Sequence, residues 1–330
     1  MGNVRMAQFG TGHGHAPGKM RSMNTNENVE VTGIFEPDEN ERAMFSDHEE
    51  YKGLHWYESA DELFSDSSIV AVASEGRNSQ SLDQTEQIVA AGKHVWYDKP
   101  AGDNYEQWER VIASAREQNL IVQMGYMFRY NPLFNQVTDW ARSGFLGNVF
   151  SVRAHMSTCV STESRERIAE AHHGGIHYDL AGHMLDQIVW MLGRPNKISS
   201  FLRNETGEVL SFSDNTLGVY EFDNAMAMVD IAAMETQPMA RRFEVYGTKG
   251  SAIIIEPFEP GHEIRLCLDE ARGGYRKGDQ IIKIEGRDRQ TCYDCELTSF
   301  LAAVSGSQEP DRSYEHELWV QESILRAVRG

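Results

Sequence analysis

Apolar positions in the first third of the chain gather in short runs, and each run is followed by a stretch with helical spacing. Val4-Arg5-Met6-Ala7-Gln8-Phe9 is a short strand that ends at the glycine cluster Gly10-Thr11-Gly12-His13-Gly14-His15. Pro17 suits the first turn of a helix, which Met20 and Met23 continue at helical spacing. Val29 to Phe35 reads as a second strand, Glu39 to Phe45 as a polar helix, and Ser59 to Phe64 as a short helix with Ser59 as its N-cap. Ile69-Val70-Ala71-Val72-Ala73-Ser74 is uninterrupted small and β-branched residue, the pattern of a strand covered on both faces. Leu82–Ala91 (helix, closed by Gly92), His94–Tyr97 (strand), Tyr105–Gln118 (helix) and Leu120–Met124 (strand) repeat the alternation. Strands alternating with helices predict a doubly wound parallel α/β domain, a Rossmann domain, over residues 1–124.

After residue 124 the pattern changes. Pro132–Ser143 is helical, Val149–Met156 alternates as a strand, and Asp179–Leu192 is helical again. Six alternating segments follow: Lys197–Asn204, Asn215–Phe222, Ala225–Met234, Arg241–Tyr246, Ser251–Glu256 and Glu263–Leu268. Asp223-Asn224 and Gly247-Thr248-Lys249-Gly250 are hairpin connections between them. Consecutive strands with short turns predict a large, mostly antiparallel open sheet in an α+β domain spanning 125–330, closed by helices at Tyr293–Ser305 and His316–Val328.

At 330 residues the chain is long enough for two cores, and its 40% hydrophobic and 25% charged composition is that of a globular protein. Fifty acids against 31 bases leave a net charge of −19, which repels phosphate backbones and argues against a nucleic-acid partner. No apolar run approaches the roughly 20 residues of a membrane span. Met1 to Gln8 lacks the basic-then-apolar order of a secretion signal, so a cytoplasmic enzyme is expected. The four cysteines, Cys159, Cys267, Cys292 and Cys295, are too scattered for a disulfide framework. Cys292-Tyr293-Asp294-Cys295 has CxxC spacing but no second pair, and reads as two reduced thiols near a helix start.

The chemistry begins at Gly10-x-Gly12. Glycine at a strand-to-helix turn lets the backbone approach a pyrophosphate whose charge rests on the helix N-terminus. Glu36 lies 26 residues after Gly10, at the end of the second strand, near the interval for an acid that holds the adenosine ribose hydroxyls. A carboxylate there repels a 2′-phosphate, and Asp38, Glu39 and Glu41 deepen that repulsion, so NAD is favoured over NADP. His15 stands where this fingerprint has a small residue. Asp98-Lys99-Pro100 ends a strand of the same sheet, where ligands of open α/β sheets bind, and Lys99 there could serve in proton transfer. Gly174 to Asp186 is the densest polar stretch. Asp179 and His183 stand four apart on one helix face, a carboxylate and an imidazole that could face a polyol; the bland alternative is an Asp179 cap with His183 packed. His172, His173, His177 and His183 with Asp179 raise a zinc or manganese question, but with a lysine base at hand no metal is expected.

Taken in order, these motifs resemble the glucose–fructose oxidoreductase / inositol dehydrogenase / rhizopine catabolism (Gfo/Idh/MocA) family over nearly the whole chain. Glu36-Pro37-Asp38 is similar to the family's acid–Pro–Asp; Ala91-Gly92-Lys93-His94-Val95 leading to Asp98-Lys99-Pro100 is similar to its A-G-K-H-V…E-K-P. Gly125 to Pro132 is similar to G-F-x-x-R-F-N-P, and Asp179-x-x-x-His183-x-x-Asp186 and Gly247-Thr248-Lys249-Gly250 follow. The resemblance implies that Lys99, Asp179 and His183 form the catalytic group. His183 would take the substrate hydroxyl proton, Asp179 would hold substrate or orient His183, and Lys99 would assist. It implies that Gly10, Thr11, Gly12, His13, Gly14, His15, Glu36, Ser74, Asn78, Asp98 and Lys99 line the cofactor. Tyr126, Arg129, Asn131 and His177 are the candidate substrate contacts. Asp98 is shorter than the family's Glu, and Glu75-Gly76-Arg77-Asn78 departs from its T-P-N. The expected activity is an NAD-dependent dehydrogenase or reductase of a sugar, sugar derivative or cyclic polyol. The alternatives are a relative that retains NAD for hydrolysis or epimerisation through transient oxidation, and a nucleotide sensor without turnover. A homodimer or homotetramer through the open sheet is implied as well.

Overall fold

A computed structural model describes residues 3–329; Met1, Gly2 and Gly330, and with them the start of the Met1–Gln8 segment, lie outside the described residues. The chain divides into two units, one formed by the chain up to Gly125 with Tyr293–Leu318, the other by Tyr126–Cys292 with the segment from Trp319 onward. The first carries β1 (Val4–Phe9), α1 (Ala16–Thr25), β2 (Val29–Phe35), α2 (Glu39–Phe45), α3 (Ala60–Ser65), β3 (Ala71–Ser74), α4 (Ser81–Ala90), β4 (His94–Tyr97), α5 (Tyr105–Glu117) and β5 (Val122–Met124). The second carries α6 (Pro132–Arg142), β6 (Val149–His155), α7 (Thr162–Ala171) and α8 (Gly175–Leu192). It continues with β7 (Lys197–Arg203), β8 (Asn215–Glu221), β9 (Met226–Ala232), β10 (Arg242–Gly247), β11 (Gly250–Ile254), β12 (Glu263–Leu268) and β13 (Gly278–Lys283). The chain closes with α9 (Arg289–Val304) and α10 (Tyr314–Arg329).

The first unit is a five-stranded parallel sheet in the order β2-β1-β3-β4-β5. Its central strands are apolar on both faces because helices cover both: all four residues of β3 are buried. α5 shows the complementary pattern, with Trp108, Val111, Ile112 and Ala115 buried at helical spacing and Asn104 accepting the Gln107 N–H as N-cap. Because β1 and β3 are neighbours while β2 and β4 lie to opposite sides, the strand order reverses between them. Ligands of doubly wound sheets bind at that switch point, outside the carboxyl ends of the strands.

The expected boundary at residue 124 assigned everything after it to the second domain; the structure returns Tyr293–Leu318 to the first unit. The reason is apolar burial. Leu297, Phe300 and Leu301 of α9 complete a cluster with Met6, Met20, Met23, Ile34, Tyr51 and Trp96.

The second unit is built on an eight-stranded sheet, order β13-β12-β11-β10-β6-β9-β8-β7, antiparallel except for the β6–β9 pair. Period-two alternation puts Val152, Tyr220, Val229, Phe243, Ala252 and Leu266 on the buried face. α8 packs on β8 and β9, and α6 on β10 and β11. The opposite face leaves Phe201, Met226 and Ile281 exposed. Two elements escape the sequence pattern. α7 has no apolar stripe and buries only Arg165 and Ala171; it starts because Ser161 accepts the Ser164 N–H. β13 is an edge strand with no fully buried residue, so its alternation carries little hydrophobic signal. Among the described residues no helix is long and apolar enough to cross a membrane.

If α9 completes the first core, Phe300→Ala should cost about 3–5 kcal/mol in urea unfolding. A loss below about 1 kcal/mol would place the helix outside that core.

Candidate active site

The site in the first unit is assembled from strand ends. Gly10 leaves β1 at φ +86°, and a Cβ there would stand 2.5 Å from the Gly76 backbone, so only glycine allows the β1 and β3 loops to meet. The His13 N–H donates to the Glu75 carbonyl across the same contact (2.9 Å). Around Gly14 a Cβ would find no atom within 4 Å, which leaves the backbone open to a ligand. The first turn of α1 carries Pro17 and no acidic residue. This loop therefore fits an anionic diphosphate by shape and by the positive end of a helix.

Glu36 ends β2 with its carboxylate directed at this loop. One oxygen accepts from the Thr11 N–H (2.6 Å) and hydroxyl (2.8 Å), and the other from the Asp38 N–H (3.0 Å). Asp38 caps α2, and the Asn40 and Glu41 N–H groups hold its carboxyl below the usual range. Arg77 pairs with Glu41 through both Nε (3.1 Å) and Nη2 (2.5 Å). The surroundings of Glu36 thus stay acidic even with Arg77 present.

Asp98, at the end of β4, is the polar centre of the unit. It is 3% exposed and accepts the Lys99 N–H (2.7 Å). Its carboxylate meets His15 Nδ1 at 3.0 Å, His13 Nδ1 at 3.4 Å and Lys19 Nζ at 3.6 Å. Burial pushes its pKa up, but His13, His15 and Lys19 outweigh burial and hold it well below the ordinary value. Lys19 lies beneath, fully buried, 3.2 Å from Glu296, 3.9 Å from Glu75 and 4.0 Å over the Trp96 ring. Burial lowers its pKa, and the coulombic fields of Glu296, Asp98 and Glu75 more than reverse that. Burial, reinforced by Asp98, raises Glu75 well above the carboxylate range, and burial likewise raises Glu296.

Lys19 and Glu296 were missed in the sequence. Lys19 carried a signal: it interrupts the buried stripe Ala16, Met20, Met23 of α1, where a lysine needs a reason. Glu296 had none. Lys99 is buried at the end of β4, and Asn78 is half-buried in the β3 loop. Ser74 Oγ is spent on Thr85 (2.9 Å), so its side chain faces α4.

In the second unit α8 begins at Gly175, so Asp179 sits in the second turn and is no cap. Asp179 is half-buried and His183 buried, one turn apart on the same face. The His183 ring packs edge-on against Phe128 (5.3 Å between centroids) and Tyr126 (6.4 Å). The other candidate contacts serve the scaffold. Arg129 makes two bonds to Asp186 (2.5 and 3.2 Å) and lies 3.9 Å over Trp190. Asn131 caps α6 by accepting the Leu133 N–H and donates to the Pro260 carbonyl. His177 is fully buried, with Thr216 at 3.2 Å and Tyr220 at 2.9 Å on its two ring nitrogens, and burial lowers its pKa to about 4. It is a neutral core histidine with no nitrogen left for substrate. His172 stacks on Tyr178 and accepts the Gly174 N–H (2.8 Å).

The family described as "Oxidoreductase family, NAD-binding Rossmann fold" matches residues 4–126, and the one described as "GFO/IDH/MocA C-terminal domain" matches residues 134–253. The chain belongs to the Gfo/Idh/MocA oxidoreductase family. Among relatives of this Gfo/Idh/MocA chain, 1,5-anhydro-D-fructose reductase of Ensifer adhaerens is 22% identical over 275 residues, covering 82% of this chain and 80% of that protein. Two solved structures share the fold. A putative NADPH-dependent oxidoreductase from Desulfitobacterium hafniense superposes with TM-score 0.84 at 17% identity, covering 100% of this chain and 95% of that one. GenD2 from gentamicin A biosynthesis, solved in complex with NAD, superposes with TM-score 0.80 at 20% identity, covering 100% and 94%.

Two variants test these environments. Lys19→Met leaves three buried carboxyl groups without their cation and is expected to cost about 3–5 kcal/mol in urea unfolding at neutral pH. A cost under about 1 kcal/mol would mean the carboxyl groups do not depend on it. For His177 the unfolded imidazole protonates near 6.5 and the folded one only near 4, so its stabilisation is complete above 6.5 and is lost as pH falls toward 4. That loss should amount to about 3 kcal/mol and be absent from His177→Gln. Parallel stability–pH curves for the two proteins would contradict it.

Proposed function

We propose that the protein is an NAD-dependent dehydrogenase or reductase acting on a secondary alcohol of a sugar, sugar derivative or cyclic polyol. The observation that carries this reading is one sheet edge, where the Gly10–His15 loop, Glu36 and Asp98–Lys99 end strands β1, β2 and β4. Gly10, Thr11, Gly12 and Gly14 would hold the diphosphate on main-chain N–H groups. Glu36 would face the adenosine ribose, and Asp98 the nicotinamide ribose. A bound nicotinamide supplies the hydride acceptor or donor. Glu36 and Asp38 favour a free 2′-hydroxyl over a phosphate, which supports NAD even though the fold is shared with a putative NADPH-dependent protein.

His183 is the proposed base that takes the hydroxyl proton. Its edge-on packing on Phe128 and Tyr126 supports a fixed ring plane, and Asp179, one turn away on the same face, would hold substrate hydroxyls. Lys99, at the end of β4, is the proposed partner in proton transfer. Tyr126 is retained as a substrate contact; Arg129, Asn131 and His177 are proposed as the scaffold that positions α8 and the turn before α6. The substrate class follows the resemblance and the relative that reduces an anhydrosugar. We infer a homodimer or homotetramer through the open sheet face, where Phe201, Met226 and Ile281 are exposed, and a reducing, cytoplasmic setting in which the four cysteines stay reduced.

NADH formation over a panel of sugars, inositols and sugar acids should single out one class. Lys99→Ala and His183→Ala are each expected to lower kcat about 100- to 10,000-fold. NAD should outperform NADP in kcat/KM by about tenfold or more, a gap that Glu36→Ser narrows. NADH binding without turnover on any substrate would favour transient oxidation or sensing, and absence of any NAD(P) binding would sink the reading.

A further inference from the structure

The two histidines of the glycine loop carry side chains that a backbone cradle for a diphosphate does not require. Both Nδ1 atoms converge on one oxygen of Asp98, at 3.0 Å from His15 and 3.4 Å from His13. One ligand atom from each of the three side chains lies within 4.8 Å of the others, and among the described residues this is the one group of three with such spacing. Neighbouring ligand atoms around a tetrahedral zinc, bound at about 2.0–2.1 Å, stand roughly 3.3 Å apart. The two histidine–carboxylate distances are of that size.

A second observation points to a cation at the same place. Glu75 is wholly buried, neither of its oxygens has a hydrogen-bond partner, and one of them stands 3.9 Å from His13 Nδ1. Glu75 stands with Asp98 and Glu296 around Lys19, and a cation at the loop would give its two buried oxygens a partner. The His15 N–H donates to His13 Nδ1 at 3.2 Å, so that nitrogen carries its lone pair, and a metal bound there would take the place of this hydrogen bond.

We propose that His13, His15 and Asp98 form a site for a divalent transition metal of the zinc class, with Glu75 as the fourth side chain within reach. Two imidazoles and carboxylate oxygens suit zinc and its neighbours and give too few oxygens for calcium or magnesium. The sequence raised a metal question at His172–His183 and expected none; the geometry moves that question to the loop. The site shares Asp98 and the loop with the proposed dinucleotide site, so metal and dinucleotide exclude one another, and only this competition rests on the function proposed above.

The test is titration of the chelator-stripped full-length protein with zinc alone, followed by heat release, and with cobalt, followed by visible absorption. One equivalent is expected to bind, with tetrahedral cobalt bands. His15→Ala and Asp98→Asn should each weaken it about 100-fold, whereas His172→Ala leaves it unchanged. Thermal unfolding of the metal-free variants shows that they are folded. No stoichiometric binding, or one equivalent that survives both substitutions, would overturn the site. With zinc bound, the Kd for NADH should rise tenfold or more; an unchanged Kd would overturn the competition. Failure of the metal-free protein to bind NADH would count against the dinucleotide reading and leave the metal site standing.

Discussion

The first unit depends on how one buried lysine is accommodated. Lys19 takes no part in any surface, and an unpaired ammonium in that position would be strongly destabilising. It is tolerated because α1 delivers it to Trp96 and Asp98 of the β4 strand and strand end, to Glu75 after β3, and to Glu296 on α9. Four segments distant in sequence are thereby fixed to one point. A buried pair of this kind adds little net stability over an apolar packing, but it makes any arrangement lacking one partner costly. The position of α9 on the first sheet follows from the same geometry, reinforced by Leu297 and Phe300.

That charge centre also explains why the loop after β1 has its shape. Gly10 and Gly76 approach so closely that neither β1 nor β3 can shift without the other, and His13 and His15 close the space above Asp98. The open position is Gly14, where the backbone faces free space. In the second unit α8 is held from two sides: His177 bonds Tyr220 of the sheet, and Asp186, on the face that also carries Asp179 and His183, pairs with Arg129 of the turn before α6. Asp179 is left half-buried, with His183 one turn further along against two aromatic rings. Two histidines six residues apart on one helix are thus both buried, one bonded to sheet hydroxyls and the other packed on two aromatic rings.

Local pattern alone determined the fold class, the glycine loop, Glu36, and the pairing of Asp179 with His183, because each depends on spacings of a few residues set by the period of one strand or helix. Family membership was legible for the same reason, as an ordered set of such local motifs. What lies across the chain was not. The assignment of Tyr293–Leu318 to the first unit, the burial of Glu296 and the commitment of Arg129 and His177 to the scaffold depend on which surfaces meet. α7 and β13 stayed hidden because neither buries an apolar face, so no periodicity marks them. A sequence records which residues are polar; only packing decides whether a polar group faces water, a ligand or a buried partner of opposite charge, since that choice is made by residues dozens to hundreds of positions away.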